Sequence, residues 1–576
     1  MGFFRRTAPK PSTAARAALL HYQRLMEVFP EVGEGEEREF WELQRQCFMG
    51  MAAGDDSLAL PCFLTSYANV SIRADKGQWI PATASALIFV SAMISIDAQC
   101  TLREQPFPED LAPKVQRMHE WTVHIAHLSG VPLASAILAE ELSARKFSDR
   151  MTARALSEVF RGSRPLRDLA RIKRDVESRK PTAAQLRANA EPDHPGQSLK
   201  EQVTSRYLKQ LEQLSDDPAR SYLLSASSVG QAAYGALSTG RTVLYIAPGF
   251  RAGAAIRLNS PGTGLELCES VELPLLSGTA VRAQVRELRE VVGATDEVKP
   301  RLTAIGKALA DTAERVWQPV LARWPDLYGM KVALIPLGAS ALLPLYTAPV
   351  DEGPACARMD LTVVPSGKAL MLAGSWPAPG PASTLVACDP SSGEATIRMT
   401  LREARAVADV HGVEPLFMRP PPGAETPSGP EPDELLRRIS QAGLVHLACH
   451  GELHDAAPLE SKLQLGQWIA LSTLLEHDLR PGSTVVLSAC HLGGIGDVLT
   501  GEQLGFPAAL LAMGARSVIA PLWSIPDTDT TVALITDLHR ELRTHSPSVA
   551  LGRTIAEAAK RGVRPTVWAA FTHFGA

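Results

Sequence analysis

The sequence has no CxxC pair, no unbroken apolar stretch of bilayer length and no large surplus of either charge, and each absence removes a class of protein. Its eight cysteines, Cys47, Cys62, Cys100, Cys268, Cys356, Cys388, Cys449 and Cys490, are scattered, which argues against a zinc ribbon or a redox dithiol. No metal or other cofactor is expected. Scattered single cysteines fit a reducing cytoplasm, where most of them serve as small buried apolar residues. The most apolar stretch, 84–98 (ASALIFVSAMISIDA), is shorter than the ~20 residues a bilayer span needs and carries Asp97 near its end. It reads as a core helix or strand, and no membrane span is expected. The opening MGFFRRTAPKPSTAARAALL has basic residues but no apolar run leading to a cleavage site, so a secretory signal is not expected. A net charge of -4 from 58 basic and 62 acidic residues gives no global reason to expect nucleic acid or an anionic membrane as a partner.

What is present is a long, ordinary globular composition. With 576 residues, the chain exceeds what one hydrophobic core of ~250–300 residues supports, so two or three domains are expected. Hydrophobic residues at 45% and charged residues at 21% exclude wholesale disorder and a coiled-coil rod. Residues 15–177 carry helical periodicity, as in LLHYQRLMEVF and FWELQRQCFMGMA, but no 34-residue repeat register fits them. Basic residues gather between 145 and 180, yet acidic ones interleave with them, which reads as a solvated helix face rather than a nucleic-acid groove. The polar, proline-bearing stretch 180–198 reads as a connector, with a further helix over about 199–214. The expected division is a mainly helical regulatory or sensor region over 1–198, followed by parts at 199–380 and 381–576.

Beyond the connector, continuously apolar runs appear: RTVLYIAP (241–248), KVALIPL (331–337), LTVVP (361–365), STLVACD (383–389), LVHLAC (444–449), TVVLSAC (484–490) and RSVIAPL (516–522). Apolar runs without alternation mark strands buried on both faces. Helical patterns separate them at 401–410, 433–441, 501–513, 528–543 and 548–560. The alternation predicts right-handed crossovers and an α/β fold with a mostly parallel sheet covered by helices. Two stretches rich in Pro and Gly, 375–382 and 418–432, read as surface loops, the second a bland insertion rather than a processing site.

Ligands of an open parallel sheet bind beyond the carboxyl ends of its strands. His450 and Cys490 each fall at such an end, forty residues apart, the first followed by Gly451 and the second by the turn-rich HLGGIGD. A free thiol is only a few per cent ionised at neutral pH, and an adjacent imidazole can accept its proton and later return it to a leaving amine. Glycine at 451 lets a carbonyl approach, so that its N–H and that of Cys490 could form an oxyanion hole. Gly493, Gly494 and Gly496 permit a tight loop beside the sulfur. Taken singly, each residue could be structural. The pairing of the two at successive strand ends is the informative feature.

The strings LVHLACHGELHDAAPLESKLQL, STVVLSACHLGGIGD, TGEQLGFPAALLAMGARSVIAPLWSIPDTDT and VWAAFTHFGA occur in the order seen in CHAT peptidases, and the chain resembles that family. KVALIPLGASALLPLYTAP and LTVVPSG look like its upstream strands, so the resemblance runs over about 220–576. It implies a caspase-like fold with 199–380 as its N-terminal, pseudo-peptidase-like part and 381–576 as its catalytic subdomain, a cysteine endopeptidase activity on a protein substrate, His450 as base, Cys490 as nucleophile, and an oxyanion hole from Gly451 and Cys490. It also implies a role in bacterial defence or programmed cell death, with an activating protein or ligand acting through the N-terminal region. The chain departs from the family where an acidic residue and Thr-Gly usually follow the cysteine, because His491, Leu492 and Gly493 stand there. His491 reads as a surface histidine, Cys449 as packing, and His446 and His454 as bystanders.

In caspase-like folds the first substrate pocket is lined partly by the loop after the strand that follows the nucleophile, here PLWSIPDTD. Trp523 is then a candidate wall, Asp527 a candidate partner for a basic P1 side chain or an N-cap of the helix near Thr528, and Ser488 a neutral third member. Two other classes compete with the peptidase. A catalytically silent scaffold or protein-binding module has no physical need to retain both His450 and Cys490. Thiol redox chemistry needs a resolving cysteine, and the closest upstream is Cys449.

Overall fold

In the computed structural model the described residues are 12–27, 33–53, 55–102, 108, 110–143, 228–259, 268–294, 297–376, 383–389, 394–419, 432–454, 458–489 and 505–576. They fall into two units, one drawn from residues 1–142 with 160–225 and the other from 143–159 with 226–576.

The first unit is helical throughout its described part: α1 (Thr13–Glu27), α2 (Glu34–Ala52), α3 (Ala59–Asp75), α4 (Trp79–Leu102), α5 (Ala112–Leu128) and α6 (Pro132–Glu141). The apolar stretch 84–98 lies in α4, so of the two structures expected for it the helix is the one formed. This helix is long and apolar enough to cross a membrane, and 44% of its window Trp79–Ile96 is buried within the fold. Phe89 packs its ring 4.4 Å from that of Phe63 on α3. A buried polar cluster fixes the packing of three helices. Gln44 donates to Ser66 Oγ at 3.0 Å and accepts from Asn69 at 2.7 Å and from Ser85 at 3.1 Å. Because each of these groups is out of water, each bond is more costly to break than to forgo on the surface. The basic cluster at 145–180, the connector at 180–198 and the helix expected at 199–214 lie outside the described residues.

The second unit is built on an eleven-stranded sheet. Its strands are β1 (Thr242–Ala247), β2 (Gly253–Leu258), β3 (Cys268–Leu273), β4 (Lys331–Pro336), β5 (Asp360–Val363), β6 (Thr384–Cys388), β7 (Leu416–Phe417), β8 (Leu444–Ala448), β12 (Ser483–Ser488), β13 (Ala515–Pro521) and β14 (Phe571–Gly575). The intervening β9 (His450–Glu452), β10 (Lys462–Leu465) and β11 (Gln467–Ala470) form a separate three-stranded antiparallel sheet. Across the large sheet the order is β3-β2-β1-β4-β5-β14-β13-β12-β8-β6-β7. Pairing is parallel except for β3 with β2, β2 with β1, and β14 with β13. The mostly parallel, helix-covered sheet is therefore the one the apolar runs predicted, and all seven of those runs are strands. Full burial of β1, β12 and β14 explains why they carry almost no alternation.

Helices α7 (Ser228–Thr239), α8 (Gly278–Ala294), α9 (Val298–Thr312), α10 (Gly367–Ser375), α11 (Glu394–His411), α12 (Pro432–Ile439), α13 (Phe506–Ala512), α14 (Asp529–Glu541) and α15 (Pro547–Lys560) connect or cover these strands. The α7–α10 contact is close because Gly235 has no side chain. A Cβ there would sit 2.9 Å from the Met371 nitrogen. Strands from the described parts of both 199–380 and 381–576 join in one sheet and share one core. The joint is β14, which enters between β5 and β13 and ties the end of the chain to both halves.

Candidate active site at three strand ends

Three neighbouring parallel strands, β12, β8 and β6, run in one register. Ala448 of β8 lies beside Ser488 of β12 and beside Cys388 of β6. The ladder continues one step further, since Cys449 N–H points to the Ser488 carbonyl at 3.4 Å and Asp389 N–H donates to the Ala448 carbonyl at 3.0 Å. His450 and Cys490 thus each follow, by two residues in the chain, a residue of the same paired level. His450 is described; Cys490, with His491, Gly493, Gly494 and Gly496, lies outside the described residues.

After Ala448 the chain leaves the large sheet and His450 opens β9. The imidazole is half-buried there. Burial pushes its pKa below the usual histidine value, and the negative charge of Asp389 pulls in the opposite direction. The balance leaves His450 neutral at pH 7, the form that can accept a thiol proton.

Asp389 is the residue that sequence reasoning passed over. Its side chain has no exposure. Oδ2 accepts from Gly466 N–H at 2.6 Å, and Arg419 Nε stands 3.9 Å away. Among the described residues Oδ1 has no hydrogen-bond partner. Gly466 is the turn between β10 and β11, with a φ of 76° in the left-handed region that favours glycine. The Arg419 guanidinium also donates to the Gly466 carbonyl at 2.7 Å. Asp389 therefore does two things at once: it moors the small sheet over the ends of β6 and β7, and its charge acts on the imidazole. A signal existed, because Asp389 closes an apolar strand in the same way as His450.

His446, expected to be a bystander, is fully buried on β8 and belongs to a chain of four side chains. Its Nε2 lies 3.0 Å from Glu403 Oε1 of α11, off the best hydrogen-bond line. Its Nδ1 meets His539 Nε2 of α14 at 3.1 Å, and His539 Nδ1 meets His411 Nε2 at 3.0 Å. A proton on His446 Nε2, facing the carboxylate, makes its Nδ1 an acceptor, and the same polarity then repeats through His539 to His411. Burial drives the pKa of His539 well below the usual value and lowers that of His411, so both rings are neutral. His454 donates its backbone N–H to Ser461 Oγ at 3.0 Å.

The remaining sequence-selected residues are placed as follows. Ser488 ends β12 and is buried, and Trp523 is buried with 3% exposure. Asp527 stands exposed on the loop after β13, where desolvation, then the nearby Glu403 charge, raise its pKa to about 6. The N-cap of α14 is Thr528, whose side chain accepts from Thr531 N–H, so Asp527 is not the cap. Arg301 of α9, itself buried, braces that loop by donating to the Ser524 carbonyl and hydroxyl. Gly451 pairs with Leu463 in the small sheet. Burial pushes the thiols of Cys47, Cys62, Cys268 and Cys388 up to about 12 and that of Cys356 higher still, which makes all five poor nucleophiles.

Residues 304–576 match the family model described as the CHAT domain. The match is shorter than the 220–576 expected and leaves out β1, β2 and β3. Two solved structures similar to the chain are crystal structures of the Saccharomyces cerevisiae separase-securin complex, at 3.0 and 2.6 Å resolution. Each shares 11% identity at a TM-score of 0.40, over 97% of this chain. The chain corresponds to 48% of each of those chains, about half their length. None of the curated proteins compared with the chain matches it.

Proposed function

On the premise that residues 304–576 match the CHAT domain model, we propose that this protein is a cysteine endopeptidase in which His450 is the general base and Cys490 the nucleophile. The observation that carries the proposal is the shared register of β8 and β12, with both residues two positions beyond one paired level. In the reaction the Cys490 thiol gives its proton to the neutral imidazole and the sulfur attacks the peptide carbonyl carbon. The N–H groups of Gly451 and Cys490 hold the resulting oxyanion. Collapse breaks the C–N bond, the imidazolium returns its proton to the leaving amine, and water then releases the acyl group from sulfur with the same base.

Asp527, on the exposed loop beyond β13, is proposed to attract a basic P1 side chain beside Ser488 and Trp523. A peptide scan in which arginine or lysine at P1 has no advantage over leucine removes that assignment. Control of the cleft by a protein or ligand bound to the helical N-terminal unit, in bacterial defence or cell death, extends the proposal and rests on the family resemblance.

The test is proteome-wide mapping of new protein termini in cells producing the wild type or Cys490→Ala. Termini that appear only with the wild type are expected. Identical sets of termini contradict the peptidase reading and favour a silent binding scaffold.

A further inference from the structure

The small sheet that begins at His450 has one buried and one partly exposed face, and the partly exposed face carries an unexplained aromatic. In antiparallel pairs, directly opposed residues project to the same side. His450 is opposite Gln464, and Gln464 is opposite Trp468, so the three form one row. The neighbouring row, Gly451, Leu463 and Ile469, points the other way, and Leu463 and Ile469 are 1% and 4% exposed. In the first row His450 is half-buried and Gln464 is 9% exposed, whereas Trp468 at its far end is 46% exposed. Two inter-strand spacings of ~4.8 Å place its backbone ~10 Å from that of His450, the length of about three residues of extended chain.

The direction of this row is fixed. The turn of the small sheet, Gly466, is bonded to Asp389 at the end of β6 and to Arg419 just after β7. In the large sheet β12 is on one side of β8 and β6 on the other. Starting from β12, the row therefore extends past His450 and onward over the end of β6. In peptide cleavage the carbonyl carbon sits at the nucleophile and the leaving nitrogen at the base that protonates it. A substrate chain continuing past the base is the part released first, on the C-terminal side of the cut.

We propose that the partly exposed face of β9, β10 and β11 binds the leaving segment of an extended protein substrate, with the exposed Trp468 indole receiving an apolar, preferably aromatic, side chain two to four residues after the scissile bond. Glu452 and Lys462 form the adjacent row, opposite in charge and also paired directly, so the face presents no net charge that would demand an ionic partner. An exposed indole in line with the base contributes contact area at little cost in side-chain ordering. The inference rests on the peptidase reading.

The experiment uses the full chain and a mixture of diverse synthetic tetradecapeptides, with cleaved bonds identified by mass spectrometry. The quantity read is the ratio of cleavage rates for peptides with Trp, Phe or Leu at the second to fourth position after the cut to those with Ser or Gly there. The expected result is a ratio of roughly three to ten for the wild type, near one for Trp468→Ala, and largely restored for Trp468→Phe. A ratio unchanged in Trp468→Ala overturns the inference and leaves the peptidase reading standing, as does a Trp468-dependent preference located before the cut. Absence of any Cys490-dependent cleavage removes the peptidase reading and this inference with it.

Discussion

Asp389 gives the sharpest test of how the strand ends are organised, because its two functions can be separated by substitution. Its carboxylate, without solvent exposure, accepts the Gly466 N–H at 2.6 Å. A hydrogen bond to a charged group contributes about 1.5–3 kcal/mol. Asp389→Ala deletes that bond, orphans the Gly466 N–H and removes the anion facing Arg419, so a loss of about 2 kcal/mol in unfolding free energy is expected. Asp389→Asn keeps an oxygen for Gly466 and loses only the charge, so its cost should be about 1 kcal/mol. The charge also acts on His450, raising a pKa that burial lowers. Without it nothing opposes the effect of burial, and the imidazole pKa falls further. The readout is the rate at which a thiol-directed peptide probe labels Cys490 between pH 5 and 9. Loss of labelling at acid pH reports protonation of the base. In Asp389→Asn that acid limb should move to lower pH, and the plateau should fall severalfold because a weaker base accepts the thiol proton less readily. An acid limb that stays in place, or moves to higher pH, refutes the coupling of Asp389 to His450. An unchanged midpoint in denaturant for Asp389→Ala refutes its mooring role.

His539→Leu strands the Nδ1 of His446 and the Nε2 of His411; a loss of about 2–4 kcal/mol is expected by denaturant unfolding. His411 and His539 have folded-state pKa values below that of an unfolded histidine, so the folded state resists protonation. Stability is therefore fully present above about pH 6.5 and declines as pH falls through the folded-state values, and a melting temperature rising from pH 7 to pH 5 contradicts this. Asp527 has a raised pKa of about 6, which means the folded state favours its protonated form. Asp527→Asn should raise the melting temperature at pH 7.5 and have little effect at pH 4. Arg301→Met removes the donors to Ser524 and should cost about 1–3 kcal/mol, with faster amide hydrogen exchange over 522–528. Unchanged exchange there means the loop is held by other contacts.

The sheet was legible because burial on both faces leaves a plain mark: β1, β4, β5, β6, β8, β12 and β13 are all apolar runs in the sequence. Where burial is partial, that mark fades. β3, which reads CESVEL, lies at the sheet edge with mixed polarity, and the strands of the small sheet are three or four residues long. Neither type offers enough period to recognise. β14 is hidden for another reason: its polar Thr572 and His573 are buried, and His573 Nδ1 stands 2.8 Å from Thr362 Oγ1 on β5. His450 could be found because a strand end and a glycine flank it. The buried chain of Glu403, His446, His539 and His411 could not, since its members come from three elements far apart in sequence and meet only through tertiary packing. Asp389 sits between these cases. The reasoning that singled out His450 applies to it unchanged, but nothing nearby in sequence points to Gly466, its partner across 77 positions.

The central claim is that His450 activates Cys490, and intact-mass analysis with an electrophilic peptide probe tests it most directly. One probe adduct, mapped to Cys490, is predicted for the wild type, none for Cys490→Ala, and a labelling rate lower by about 100-fold or more for His450→Ala. Equal labelling of Cys490 with and without His450 contradicts the claim.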